Sequence, residues 1–194
     1  HIAPILSSTS DETGDFGGFI GSLLDISDLK NAQMELENLA FYDPLTNLPN
    51  RRFFRDHLQY VLAAANHEEN RIAILMLELD TFKKVNDTLG HDAGDELLTA
   101  LSERLRGLVA QKDVVSRMGG DEFMILLRDV DIRSSIQRIA DRILQAVRRP
   151  VTIRGHDIEV TASIGVATYP EDALSAEELM RNADLALYLS KESG

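Results

Sequence analysis

Hydrophobic positions along this chain follow two rhythms. From Arg51 to Ala65 they fall at Phe54, Leu58, Val61, Leu62 and Ala65, one face of a helix. Leu97, Leu101, Leu105 and Leu108 make a second stripe and predict a helix over Ala93 to Val109. Ile136, Ile139, Ala140, Ile143 and Val147 predict a third over Ser134 to Val147, which Pro150 ends. Ser175 to Ser190 reads as the last helix. Between these lie runs of strand length. Arg71 to Leu79, RIAILMLEL, is continuously apolar until Glu78, the pattern of a strand buried on both faces. Val114 to Met118 and Phe123 to Arg128 predict two strands joined by a Gly-Gly-Asp-Glu turn. VTIRGHDIEVTASIGVATY predicts a hairpin turning at Arg154-Gly155-His156. Helices and strands alternate while hairpins recur, so the expected class is α/β (α+β), a mixed central sheet with helices around it.

The first residues differ. IAPILSS and GGFIGSLLDI flank a polar turn, TSDETGDFG, and two strands alone are marginal in water. This predicts the end of a domain over residues 1–27, then a linker helix over 28–41 and the main domain over 42–194. On the linker helix Leu29, Ala32, Leu36 and Leu39 have the spacing of a coiled coil, or of a connector packed on its own chain. The chain starts at His1 and reads as a piece of a longer protein.

Composition narrows the chemistry. The 194 residues carry a formal net charge of −12, which argues against nucleic acid as a partner and requires local neutralisation if the ligand is an anion. A divalent metal is the usual means. Cysteine is absent, so there is neither a disulfide framework nor thiolate chemistry. No transmembrane helix or signal peptide is visible, and the expected location is cytoplasmic, with attachment to a membrane left to other parts of a longer protein.

Acids mark the ends of the apolar strands. Gly119 and Gly120 accept the positive φ of a tight turn, and Asp121 and Glu122 follow where the strand re-enters the sheet. Glu78 and Asp80 end the buried run two residues apart. Unpaired buried charge is costly, and carboxylates from two neighbouring strand ends plus backbone oxygens suit Mg2+, completed by substrate phosphates. The competing reading has these acids solvated or paired with Lys83, Lys84 and Arg117. Phe82 and Lys83 open a short helix whose first amides, with the lysine charge, suit phosphate. Asn86 and Asp95 offer an amide and a carboxylate, the pairing that reads guanine. His91 reads as structural.

RMGGDEF, LDTFKKVNDTLGHDAGDELL, DPLTNLPNRR, VTASIGVATYP and NADLALYLSK together resemble the GGDEF domain of diguanylate cyclases, over Phe41 to Gly194. The resemblance implies a fold similar to the palm of nucleotide cyclases and polymerases. It implies condensation of two GTP into cyclic di-GMP and two pyrophosphates across a homodimer, which need only be transient. It implies Asp121 and Glu122 as catalytic acids, and Glu78, the Leu79 backbone, Asp121 and Glu122 as ligands for two Mg2+ or Mn2+ per site. It implies GTP held by Phe82, Lys83, Asn86, Asp95, Gly119, Gly120 and Lys191, the lysine on the terminal phosphate.

Three departures stand out. The family usually has Asp where this chain has Glu78, which puts Mg2+ geometry in doubt and favours Mn2+. An inhibitory product site, R-x-x-D, is reduced to Ala110 and Asp113, so feedback through it is not expected. An arginine usually found just past Gly194 is outside the sequence. GGFIGSLLDISDLKNAQMELENLAFYDPLT is similar to the end of a PAS sensor and its signalling helix, and RRPVTIRGHDIEVTASIGVATYPED to GGDEF domains that precede an EAL phosphodiesterase. The alternative to a cyclase is therefore a GTP-binding regulatory domain that no longer cyclises and controls an attached domain.

Overall fold

The computed structural model describes residues 2–10, 16–65, 71–129 and 133–193. The chain divides into two compact units, His1–Ala40 and Phe41–Gly194. In the first, β1 (Ile2–Ser10) and β2 (Phe16–Asp25) pair antiparallel. The middle of the expected polar turn, 11–15, lies outside the described residues. The helix α1 (Ser27–Phe41) follows, its first amide, Ser27 N, donating to Asp25 Oδ1 at 2.9 Å. Leu29, Leu36 and Leu39 of the coiled-coil stripe are 68%, 67% and 60% exposed.

The second unit contains the remaining elements. DPLTNLPNRR folds as a wide turn, with Asp43 N donating to Leu48 O and Asn47 N to Asp43 O. Asn50 then caps α2 (Arg51–Ala64), its Oδ1 accepting from Arg52 N and Phe53 N. After β3 (Ile72–Leu79) come α3 (Phe82–Leu89) and α4 (His91–Arg106), then β4 (Val114–Gly119), β5 (Glu122–Arg128) and α5 (Arg133–Arg148). A small hairpin, β6 (Val151–Ile153) and β7 (His156–Ile158), turns at Arg154-Gly155. The strand β8 (Ala162–Tyr169) and α6 (Ala176–Ser193) complete the order.

The four-stranded sheet runs β4-β5-β3-β8, and each neighbouring pair is antiparallel. The expected class and the surrounding helices are present, but the parallel pairing of a mixed sheet is not found among the described strands. The reason lies in the crossovers. The α3–α4 crossover makes β4 run parallel to β3, and α5 does the same for β8 and β5. Each parallel couple, however, is split by a strand of the other: β5 lies between β3 and β4, and β3 between β5 and β8. The apolar run of β3 is buried on both faces all the same, because helices cover both. Ala73, Leu75, Leu77 and Leu79 face a core shared with α4 and α5, while Ile72, Ile74 and Met76 face a core shared with α2 and α6.

Gly165 sets how closely α6 lies on the sheet. A Cβ there would sit 2.1 Å from Ala183 O and 2.2 Å from Leu187 N, so helix backbone rests directly on strand backbone. No helix among the described residues is long and apolar enough to cross a membrane.

Candidate active site

One end of the sheet collects most of the polar residues singled out in the sequence. Glu78, next to last in β3, is directly opposite Glu122, the first residue of β5. Opposed residues of an antiparallel pair project from the same face, so two carboxylates meet here. Their parity is that of Ile74, Met76 and Met124, so both project toward the α2 and α6 side. Lys191, in the last turn of α6, forms an ion pair with Glu78. Asp121 completes the group from the turn.

That turn is displaced by one residue from the sequence expectation. Gly119 pairs with Glu122 across it, after an irregularity between Arg117 and Gly119, so Gly120 and Asp121 form the tip. Gly119 and Gly120 have φ of +135° and +54°, which glycine adopts without strain. The turn is held from below. The Arg117 guanidinium donates to Gly120 O from Nε (3.0 Å) and Nη2 (2.8 Å), and to both oxygens of Asp43 from Nη1 (3.0 and 3.2 Å). Asp43 also accepts from Thr46 N and Oγ1. Burial pushes the Asp43 carboxyl up, but the Thr46 hydrogen bonds and Arg117 outweigh it, and the group lies below its ordinary value. The sequence carried no signal that DPLT would brace the GGDE turn across 74 positions of chain.

Asp121 at the tip and Glu122 beside it are electrostatically strained. Burial raises the Asp121 carboxyl above its ordinary value; a hydrogen bond from its own backbone opposes this, Glu78 adds to it, and Lys191 and Arg117 oppose it. Burial likewise raises Glu122, followed by the charge of Glu78, with Arg51 opposing and Asp121 and Asp184 adding. Arg51 and Asp184 are members of this field that the sequence reading missed. Asp80 is not a member, although it lies two residues beyond Glu78. Its carboxylate accepts from Thr161 Oγ1 (2.6 Å) and Ser163 Oγ (2.7 Å), and fastens the end of β3 to the start of β8.

Among the described residues no group of three or more His, Cys, Asp or Glu side chains is gathered closely enough to hold a metal alone. The donor set nevertheless fits a hard divalent cation. Mg2+ commonly takes one or two carboxylates and completes its shell with water and substrate phosphates. Here two opposed glutamates and a neighbouring aspartate, with Asp121 and Glu122 both raised by burial and by the charge of Glu78, offer carboxylates to such an ion, and Lys191 is paired with Glu78.

The other candidates flank this end. No side chain caps the start of α3, where Phe82 and an exposed Lys83 sit. Gly90, φ +89°, bends the chain from α3 into α4. Asn86 then lies against Gly94: a Cβ on Gly94 would fall 1.9 Å from Asn86 Oδ1 and 3.1 Å from Phe82 Cζ. Asn86 Oδ1 is buried and has no hydrogen-bond partner. Asp95, next along α4, is exposed. Asp113 has another occupation, Oδ1 accepting from Arg128 N (3.0 Å) and Oδ2 from Ala110 N (3.1 Å).

The comparisons agree with this picture. The family model "Diguanylate cyclase, GGDEF domain" matches residues 40–194. The bifunctional diguanylate cyclase/cyclic di-GMP phosphodiesterase MucR of Pseudomonas aeruginosa is 40% identical over 166 residues, 86% of this chain and 24% of that protein. Diguanylate cyclase TpbB of the same species is 37% identical over 186 residues, 93% of this chain and 43% of that protein. The chain thus spans less than half the length of these relatives. Among solved structures, the coiled coil and GGDEF domain of DgcB from Caulobacter crescentus, in complex with c-di-GMP, superposes with a TM-score of 0.78 at 29% identity, covering 87% of this chain and 90% of that one. With the family match, the relatives, the sheet and its GGDE hairpin all in agreement, this chain belongs to the family of diguanylate cyclase GGDEF domains.

Proposed function

We infer that this chain is the cyclase domain of a diguanylate cyclase and condenses two GTP into cyclic di-GMP and two pyrophosphates. The observation that carries this reading is the meeting of an acidic strand end, Glu78, Asp121 and Glu122, with a nearby asparagine whose buried oxygen lacks a partner. Asn86 and Asp95 bind guanine, the orphaned Oδ1 accepting a ring or amino N–H. Phe82 and Lys83 receive the phosphates at the open start of α3. Gly119 and Gly120, having no side chains, let the nucleotide approach the turn.

Glu78, the Leu79 carbonyl, Asp121 and Glu122 would hold Mg2+ or Mn2+, two per site. Such ions supply charge neutralisation at the α-phosphate and acidify the attacking hydroxyl. Glu122, raised by burial and by Glu78, is suited to take the proton of the 3′-hydroxyl as its oxygen bonds to the α-phosphorus of the other GTP and pyrophosphate leaves. One domain holds one GTP, so a second copy must face it, at least transiently. Use of GTP would put the domain in the cytoplasm. Feedback through Ala110 and Asp113 is not expected, because both Asp113 oxygens already accept backbone amides.

Residues 1–27 are read as the end of a PAS sensor and 28–41 as a signalling helix whose exposed Leu29, Leu36 and Leu39 pair with a second copy. A second reading, a GTP-binding regulatory domain acting on an attached EAL phosphodiesterase, is favoured by the Glu78–Lys191 pair, which occupies both a metal-ligand position and a phosphate contact. Product analysis separates the two. Cyclic di-GMP formed from GTP with Mg2+ or Mn2+, and lost in Asp121→Ala, supports the cyclase; GTP binding without product supports the regulatory domain.

A further inference from the structure

The ion pair between Glu78 and Lys191 joins two elements distant in sequence at the centre of the acidic group. Glu78 enters from the end of β3 and Lys191 from the last turn of α6. Their side chains are 29% and 34% exposed, so the pair is largely shielded from water. Glu122 stands opposite Glu78 in the ladder, and Asp121 feels the charges of both Glu78 and Lys191. Among the described residues two other cations act on Asp121 and Glu122. Arg117 is bound to Asp43 and the Gly120 carbonyl, and Arg51 acts on Glu122 from the start of α2. Among the described residues the Lys191 ammonium is therefore the cation paired with Glu78.

A divalent ion on the same carboxylate and the ammonium exclude one another, since like charges a few ångströms apart in partly shielded surroundings repel strongly. The lysine is the partner able to leave. Its charge is carried on a flexible four-carbon stem at a helix end, whereas Glu78 is fixed in the sheet. The length of the side chain at position 78 also matters: an aspartate, one methylene shorter, would reach less far toward α6.

We propose that Glu78 and Lys191 act as a counter-ion exchange. Lys191 occupies Glu78 until metal and nucleoside triphosphate arrive together, then transfers its ammonium to the phosphates. This rests on the reading of the site as one for a metal–GTP complex. Metal alone must displace an ammonium that gains no new partner. Metal with triphosphate provides that partner, so the two bind with positive coupling through Lys191.

The test is Mn2+ binding, followed by electron paramagnetic resonance of the free ion. Wild type, Lys191→Met, Glu78→Asp and the double variant are compared, each with and without guanosine 5′-(α,β-methylene)triphosphate. Thermal melts establish that each variant is folded. Without nucleotide, Lys191→Met should tighten Mn2+ binding by roughly tenfold, the size of a typical coupling. In the Glu78→Asp background the same replacement should tighten it by no more than about twofold, because the exchange partner is already withdrawn. The gain in Mn2+ affinity on adding the nucleotide analogue should shrink in Lys191→Met. No tightening, or equal tightening in both backgrounds, overturns the exchange and leaves only a general charge effect. Absence of Mn2+ binding in every variant even with the analogue overturns the metal–GTP reading, and the exchange with it.

Discussion

Replacing Gly94 with alanine adds one methyl group to α4 and strikes the residue assigned to base recognition. The new Cβ would stand 1.9 Å from Asn86 Oδ1 and 3.0 Å from its Cγ. The amide must then retreat by about 1.5 Å to reach an ordinary contact. Phe82 Cζ, 3.1 Å from the same Cβ, must also give by a few tenths of an ångström. If Asn86 binds guanine as proposed, its hydrogen bond to the base would be lost and the ligand's donor left unpaired, together about 2 kcal/mol. That corresponds to roughly 30-fold weaker GTP binding. Stability should change less. Crowding costs about 1–3 kcal/mol, while alanine in place of glycine inside a helix returns about 1 kcal/mol. The assay is calorimetric titration with a non-reactive GTP analogue, beside a thermal melt. Gly94→Ala should also add nothing to Asn86→Ala, since removing the amide makes room for the methyl group. Wild-type affinity in Gly94→Ala, or additive losses in the double variant, would refute the argument that this glycine positions Asn86.

Other expectations follow from the same geometry. Asp121→Asn should abolish product yet raise the melting temperature of the ligand-free protein at neutral pH. The raised carboxyl contributes stability that is complete below its unfolded value and lost as pH rises through its folded one, so the difference between the proteins should vanish in melts below about pH 4. Arg117→Met removes the brace between Asp43 and the Gly120 carbonyl; a loss of about 2 kcal/mol in denaturant titrations is expected, with turnover falling more than GTP affinity. Gly165→Ala forces α6 off β8 backbone to backbone and should destabilise the domain by about 3 kcal/mol or prevent soluble expression. Asp113→Ala frees Arg128 N and Ala110 N and should lower stability by about 1 kcal/mol, with the response to added cyclic di-GMP unchanged in initial-rate assays.

The sequence by itself determined the elements and the chemistry available to them. Periodicity located α2, α4 and α5 within a few residues, because each buries a single stripe against the sheet. The apolar run of β3 declared burial on both faces, and two glycines before two acids declared a charged tip on a hairpin. None of this contains the pairing of strands. Whether β5 or β4 lies beside β3 depends on how two crossovers close over the same sheet, and only their joint packing makes every neighbouring pair antiparallel. That pairing sets Glu78 opposite Glu122. It also turned Asp80 from a presumed companion of Glu78 into a fastening for Thr161 and Ser163, because the chain leaves the ladder after Leu79. The contact of Lys191 with Glu78, the grip of Asp43 on Arg117 and the amide seated against Gly94 link residues that no local pattern relates. Each depends on the distance between packed elements, a quantity fixed only when both faces of the sheet are filled.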